Sequence, residues 1–289
     1  MEEQKLNKFT KVMIPVVIVL FVIVAALTVL TVKKHYDNVK EERSISESKA
    51  VDAMTATVTI PEGFTVVQIS QLLEEKEVCS AKEFLALVKN PPKEILDIIG
   101  LKDTSKKIFA LEGYIYPDTY EFYRNEEPGE VVIKILDNFK RKITDEYYSR
   151  AEKAGYTMDE ILSIASVIQK EAGLPAENGK VSSVIYNRLN DGMQIQCDVT
   201  GNYLEKYVKP YVSDYSEEYE NNYDTFKCSA IPAGAICNPG IDCIDAALAP
   251  ENTKYYFFVT DSVETTKFYF SETYEEHLKN CQIAGYTGY

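Results

Sequence analysis

TMDEILSIASVIQKEAG, residues 157–173, reads as one amphipathic helix with both of its ends written in. Thr157 followed three positions later by Glu160 is a capping-box pair, in which each side chain satisfies a backbone donor of the first turn. Gly173 is the stop signal. At 100° per residue Ile161, Ile164, Ala165 and Ile168 fall on one stripe, the face such a helix turns to a core. Glu171 lies seven positions after Ile164 and four after Val167, at the edge of that stripe and in the last turn, with Lys170 on the opposite face. A carboxylate there is partly desolvated and faces the negative end of the helix dipole, and both effects raise its pKa. A carboxyl group kept protonated near neutral pH can act as a general acid. The same position also reads as an ordinary exposed Glu near a helix end, and periodicity alone leaves both readings standing.

Working outward, a long helical pattern precedes this segment over residues 130–154, and another helix follows over residues 180–189. Upstream lies the aromatic stretch Leu111-Glu112-Gly113-Tyr114-Ile115-Tyr116-Pro117-Asp118-Thr119-Tyr120, whose rings suit either stacking on sugars or a satellite core. Downstream come Tyr186-Asn187-Arg188-Leu189 and Gly192-Met193-Gln194-Ile195-Gln196-Cys197-Asp198-Val199-Thr200. These polar groups can hydrogen-bond sugar hydroxyl and acetamido groups, or can serve their own loop, with Asp198 and Thr200 as caps. Residues 191–250 read as loop-rich. Within them Ile231-Pro232-Ala233-Gly234-Ala235-Ile236-Cys237-Asn238-Pro239-Gly240 is a rigid extended segment by its prolines. Residues 255–259 and 267–270 read as paired strands, and a last helix starts near Thr273, capped with Glu276.

Toward the N-terminus, residues 12–32 run for 21 positions without a charge. A helix of that length spans roughly 31 Å, the thickness of a bilayer core. A cleaved signal peptide has a shorter apolar region ending in a small-x-small site, whereas this run ends in Lys33-Lys34 and reads as an uncleaved anchor. Lys5, Lys8 and Lys11 before it and Lys33, Lys34, Lys40 and Arg43 after it leave its orientation open by charge. Residues 33–56 read as a charged stalk. Thr57-Val58-Thr59-Ile60 alternates as a strand, Pro61-Glu62-Gly63 turns, and helices follow at Val67–Leu73 and Ala81–Lys89, so 57–107 reads as a small α/β module. The expected layout is therefore α+β: a tail at 1–11, a transmembrane helix at 12–32, a stalk at 33–56, a module at 57–107 and a mixed α+β domain at 108–289.

With 31 basic against 45 acidic side chains the net charge is −14, which makes a polyanion such as nucleic acid a poor partner. Tryptophan is absent against 21 Tyr and 12 Phe, so stacking surfaces must come from those two. Six cysteines all follow the apolar run. They form no CxxC pair and have only His35 and His277 for company, which gives a metal site little support. Cys237 with Cys243 is the plausible local disulfide, and six unpaired thiols are the equal alternative. No cofactor is expected.

The combination resembles the YceG-like family, the MltG endolytic murein transglycosylases. The aromatic stretch Leu111–Tyr120 is similar to its LEGYLFPDTY signature, and Ala165–Glu171 to its ASIVEKE helix. Asn187-Arg188-Leu189 with Gly192–Asp198 is similar to NRL…GMPLQSD. Ile231–Gly240, followed by Ala246–Pro250, is similar to LPPGPIxNPG and its continuation. Phe268-Tyr269-Phe270-Ser271 with Glu275-Glu276-His277 is similar to FxFS…YxEH. The match covers most of residues 57–280. Gln169, Val199, Gly201 and Ala233 depart from the pattern, while Glu171 keeps the position of the family's catalytic acid.

The resemblance implies a single-pass cell-membrane protein with the N-terminus cytoplasmic and the bulk outside, a LysM-like module near 57–107 and a catalytic domain from 108. It implies lytic cleavage of the MurNAc-β-1,4-GlcNAc bond of nascent peptidoglycan strands to 1,6-anhydroMurNAc ends, with Glu171 as general acid and base. Asp198 would stabilise positive charge, and Asn187 and Gln196 would orient the sugar. Glu112, Tyr116, Tyr120, Arg188, Thr200 and Asn238 complete the expected substrate-binding set. Peptidoglycan synthases of the elongation machinery are candidate partners. A non-catalytic glycan-binding scaffold of that machinery is the other reading.

Overall fold

The computed structural model describes residues 13, 30–31, 33–41, 54–172, 174–228, 230–264 and 266–286. Apart from positions 13, 30 and 31, the expected membrane span at 12–32 lies outside them. Among the described residues no helix is long and apolar enough to cross a membrane. Residues 33–41 of the expected stalk are helical. The chain divides into residues 1–55 and 56–289, and the second unit holds the hydrophobic core.

Strand β1 (Thr55–Thr59) buries Ala56 and Val58, and the Pro61–Gly63 turn leads into α1 (Val66–Glu75). Thr65 and Gln68 form a capping box there, with N–H to side-chain distances of 3.1 and 3.3 Å. Helix α2 (Ala81–Lys89) begins at a Ser80 cap, and α3 (Lys93–Ile99) starts after Pro92 and ends at Gly100 in the left-handed region. Nothing in the sequence pattern announces α3, because seven residues after Pro91-Pro92 carry too few turns for a periodic signal. β2 (Thr119–Tyr123) forms a two-stranded sheet with β1. The aromatic stretch 111–120 is turn and irregular backbone up to Asp118 and enters β2 only at its last two residues, where the alternation of the strand turns Tyr120 and Phe122 inward. The sheet of the 57–107 module is thus completed by a strand from beyond residue 107.

The single long helix expected over 130–154 is two: α4 (Pro128–Lys142) and α5 (Asp145–Ala154). The chain breaks at Ile143, whose side chain is buried, and restarts at Thr144 in extended conformation. Thr144-Asp145-Glu146 is a start signal of a small polar cap followed by acids, and Lys140, Arg141 and Lys142 suit the C-terminal end of the preceding dipole.

Helix α6 (Met158–Glu171) begins at the Thr157–Glu160 capping box and is the centre of the fold. It is buried on every side from Ile161 to Ile168 rather than along one stripe. Ser163 and Ser166 make this possible. Ser163 Oγ donates to the carbonyls of Pro232 (2.9 Å) and Gly234 (3.1 Å), and the Ile236 amide donates to Ser166 Oγ (3.0 Å). The Pro- and Gly-rich segment 231–240 therefore lies against α6, where its backbone groups find partners in the helix's small polar side chains. Gly113 faces the same segment at φ +91, and a Cβ there would stand 2.6 Å from Ala235 Cβ.

Helix α7 (Pro175–Asn190) starts five residues before the expected position, with proline in its first turn. The region expected to be loop-rich contains α8 (Asp198–Tyr203), continued by a π turn over Leu204–Val208, then α9 (Glu217–Tyr223) and α10 (Ile241–Leu248). Short helices rich in Tyr and Glu lack an apolar stripe, so they are fixed by packing rather than by pattern. β3 (Phe257–Thr260) and β4 (Phe268–Ser271) pair antiparallel with Phe257 opposite Ser271, and α11 (Tyr274–Ile283) carries the Thr273–Glu276 capping box. All six cysteines are free thiols. Cys237 Sγ donates to Ser166 O (3.4 Å) and Cys243 Sγ accepts from Asn178 Nδ2 (3.3 Å), so the local pair is not formed.

Candidate active site

The end of α6 opens into a cavity of about 560 Å³. Glu171 enters from α6, Arg188 from α7, and Gln196, Cys197 and Asp198 from the turn that starts α8. The far wall is Tyr256 to Thr260 on and before β3, with Tyr274 and His277 from α11. Four of the expected site residues, Glu171, Arg188, Gln196 and Asp198, thus meet in one place.

Glu171 is partly buried and its pKa is pushed up to about 7, first by desolvation and further by the charge of Asp198. The Cys197 thiol and the Val199 backbone N–H oppose this, because each donates to the ionised form. A carboxyl group balanced in this way holds comparable protonated and ionised populations near neutral pH, as a group that must give and later take a proton requires.

Arg188 is 6% exposed. Its Nε donates to Tyr256 O (2.7 Å) and its Nη1 to the carbonyls of Gln194 and Ile195 (both 3.0 Å) and to Gln196 Oε1 (3.1 Å). The guanidinium lies 4.9 Å from the centre of the Phe257 ring. It therefore ties the 194–196 turn to the wall strand. Gln196 sits in that turn at φ +58, a left-handed conformation that a non-glycine residue holds only when its surroundings impose it. Asp198 is exposed at the first position of α8. On the far wall His277 stacks on Phe257, with ring centres 5.3 Å apart. Its pKa is lowered by burial and by the charge of Arg188, so the imidazole is neutral at physiological pH.

The other expected residues lie elsewhere, among partners of their own. Asn187 Nδ2 donates to Thr253 O (3.1 Å) and Tyr255 O (2.9 Å), holding the approach to β3. Thr200 is fully buried, with Oγ1 donating to Cys197 O (2.8 Å) and facing Thr225 Oγ1 (3.0 Å). Tyr116 and Tyr120 are core residues, and Tyr120 OH donates to Tyr116 O (2.6 Å). Asn238 is fully buried. Its Oδ1 accepts from the amides of Gly113 and Ile115 (both 2.9 Å), while Nδ2 donates to Glu112 Oε1 (2.8 Å) and Phe64 O (3.0 Å).

Glu112 is the second perturbed carboxyl group. Burial raises its pKa to about 8, against the opposing donors Val66 N–H, Tyr203 OH and Asn238 Nδ2. With 1% exposure and every partner inside the protein, it braces the N-terminus of α1 out of reach of a polymer. Among the described residues no group of three or more His, Cys, Asp or Glu side chains is placed to hold a metal ion.

Sequence reasoning misses the wall built by β3 and α11. It marks Tyr256 to Val259 as strand residues only, and it does not place His277 on the cavity that Glu171 lines. The usable signal is the unbroken aromatic and apolar run Tyr255–Val259, too short for a helix and every residue of β3 half-buried, which leaves one face of the strand to be explained.

A family model described as the YceG-like family matches residues 30–283. The chain belongs to the YceG-like family. Among curated relatives, the endolytic murein transglycosylase of Streptococcus pneumoniae serotype 2 (strain D39) is 26% identical over 263 residues, 84% of this chain and 47% of that protein. The endolytic murein transglycosylase of Bacillus subtilis (strain 168) is 30% identical over 229 residues, 77% of this chain and 63% of that protein. This YceG-like chain therefore spans about half to two thirds of the length of these relatives. The 2.6 Å crystal structure of a yceG-like protein from Listeria monocytogenes superposes with a TM-score of 0.65 at 28% identity, covering 77% of this chain and 74% of that one.

Proposed function

We propose that this chain is an endolytic peptidoglycan lytic transglycosylase, held at the cell membrane by residues 12–32 with its N-terminus cytoplasmic. The observation that carries the reading is Glu171: a carboxyl group with its pKa raised to about 7, on the wall of a 560 Å³ cavity that it shares with Arg188, Gln196 and Asp198. The names of the S. pneumoniae and B. subtilis relatives support it.

In this reading a glycan strand lies in the cavity with a MurNAc-β-1,4-GlcNAc bond at Glu171. The protonated carboxyl group gives its proton to the glycosidic oxygen as the bond to C1 of MurNAc breaks, and GlcNAc leaves with a free 4-hydroxyl. Asp198 is the anion available to the oxocarbenium-like state. The Glu171 carboxylate then takes the proton of the MurNAc C6 hydroxyl as that oxygen bonds to C1. The product is a 1,6-anhydro end and Glu171 is again protonated. No water is consumed, so the fixed separation of two carboxyl groups that governs glycoside hydrolases does not apply. Residues 57–107 are proposed as a LysM-like module that brings the strand to the site, and synthases of the elongation machinery as the source of that strand.

The test is digestion of purified peptidoglycan by the wild type and by Glu171→Gln, with product ends identified by mass spectrometry. The wild type is expected to release 1,6-anhydro ends, and the variant to lose at least about a thousandfold in rate while melting as a folded protein. Reducing ends from the wild type would point to hydrolysis, and undiminished anhydro ends from the variant would remove Glu171 from the mechanism.

A further inference from the structure

The cavity carries an aromatic rim that the chemistry above does not use. Phe226 is 47% exposed and Tyr274 is 58% exposed, yet both line the cavity that holds Glu171. Phe226 sits in a turn where its amide donates to Asp224 Oδ1 (3.0 Å) and its carbonyl accepts from Gln194 Nε2 (3.0 Å). Among the described residues its ring stacks on no other ring. Tyr274 opens α11, with its ring 5.8 Å from Phe257 and 6.2 Å from His277. Phe257 is held in turn by the Arg188 guanidinium at 4.9 Å.

Two large apolar faces from two separate elements thus stand open to water on the cavity lined by a carboxyl group, an amide and an acid. Exposing such area is unfavourable by about 25 cal/mol per Å², and apolar surface gathered at a polar cavity marks a binding site. The complementary ligand has flat apolar faces and a polar edge. A pyranose of the β-gluco configuration fits that description. All its ring substituents are equatorial, so each face presents axial C–H groups while hydroxyl and acetamido groups project around the rim.

We propose that Phe226 and Tyr274 are the platforms on which sugar rings of the glycan strand stack when a bond is presented to Glu171. This rests on the transglycosylase reading and adds to it the residues that set strand affinity. It also moves the stacking surface away from the aromatic stretch at 111–120, whose Tyr116 and Tyr120 are 7% and 6% exposed.

Stacking holds substrate and transition state alike, so its loss raises KM more than it lowers kcat. The experiment follows anhydro-end release from soluble glycan strands by the wild type, Phe226→Ala, Tyr274→Ala, Tyr274→Phe and Phe226→Leu, with a thermal melt of each. Each alanine variant is expected to raise KM roughly three- to tenfold with kcat within about twofold. Tyr274→Phe is expected to restore the wild-type KM, because the ring and not the hydroxyl is the platform. Phe226→Leu, which keeps apolar bulk without a flat face, is expected to behave as the alanine variant. Binding to the same strands in a Glu171→Gln background is expected to weaken by the same factor when Phe226 and Tyr274 are truncated. Unchanged KM and unchanged binding in both alanine variants would overturn the stacking role while leaving the transglycosylase reading intact. A wild type without anhydro products would instead sink that reading, and retained strand binding in the Glu171→Gln background would still report on the platforms.

Discussion

At Glu171 desolvation outweighs two hydrogen-bond donors, and the outcome has a cost in stability that can be measured. Its folded-state pKa of about 7 stands above the ordinary 4.5. A carboxyl group raised on folding contributes fully below the unfolded value, and that contribution is lost as pH rises through the folded one. Wild-type stability relative to Glu171→Gln should therefore be flat below pH 4.5 and fall between 4.5 and about 7, which melts of both proteins across that window will show. A constant difference would mean that the carboxyl group is not perturbed. With Glu171 as the proposed general acid, its protonated form is lost as pH rises through about 7, and the rate should decline there. Cys197 offers a way to move that limb. Its thiol donates to the ionised Glu171, while Val199 N–H donates from the same turn and the Asp198 charge opposes. Cys197→Ala removes a donor and should shift the alkaline limb to higher pH, whereas Cys197→Ser supplies a stronger donor and should shift it lower. Limbs that coincide in pH–rate profiles of the three proteins would exclude the thiol from this role.

Among elements, the joint between the 111–120 stretch, the 231–240 segment and the start of α1 depends on one side chain. Asn238 satisfies two buried amides, the part-buried Phe64 carbonyl and the buried Glu112 carboxyl group at once. Truncation to alanine strands the two amides and the Glu112 carboxyl group in a buried setting, at a cost of about 3 kcal/mol. For a folded unit of this size that is a fall in melting temperature of roughly 6–12 °C. Asn238→Ala should show it in a thermal scan, and a loss under about 2 °C would mean the joint relaxes. This element-level role is hidden in the sequence. A proline- and glycine-rich segment announces rigidity, but nothing in it names the serines of α6 that receive its backbone. The break between α4 and α5 is hidden too: Thr144-Asp145-Glu146 carries a start signal, but the helical periodicity on either side masks it and the two helices read as one.

For the molecule as a whole, the module at 57–107 is bound into the rest by groups distant in sequence. β1 pairs with β2, Val66 N–H donates to Glu112, and Gly63 N–H donates to Asn238 O at 2.8 Å. Lys89 pairs with Asp214 at 2.6 Å, and Gln71 Nε2 donates to Tyr211 OH at 2.8 Å. A fragment ending at residue 107 lacks its second strand and the brace of α1. It should stay unfolded by far-UV circular dichroism, whereas residues 54–286 should melt in one cooperative transition. A helical, exchange-protected fragment would make the module independent.

Local signals determined much by themselves. The capping boxes at Thr65, Thr157 and Thr273 encode helix starts within four residues, the alternation of Thr57 to Ile60 encodes a strand, and Glu171 at the end of an apolar helix encodes a candidate acid. Each is a short-range matter of backbone donors and side-chain direction, so the chain carries it wherever it folds. Which polar residues reach the cavity was decided only in three dimensions. Arg188 and Gln196 share motifs with Asn187 and Thr200, and the motif order does not separate those that face the cavity from those that brace it. The separation comes from how α7, α8 and β3 pack, through long-range burial and the need to pair every buried polar group, and no local pattern records those distances.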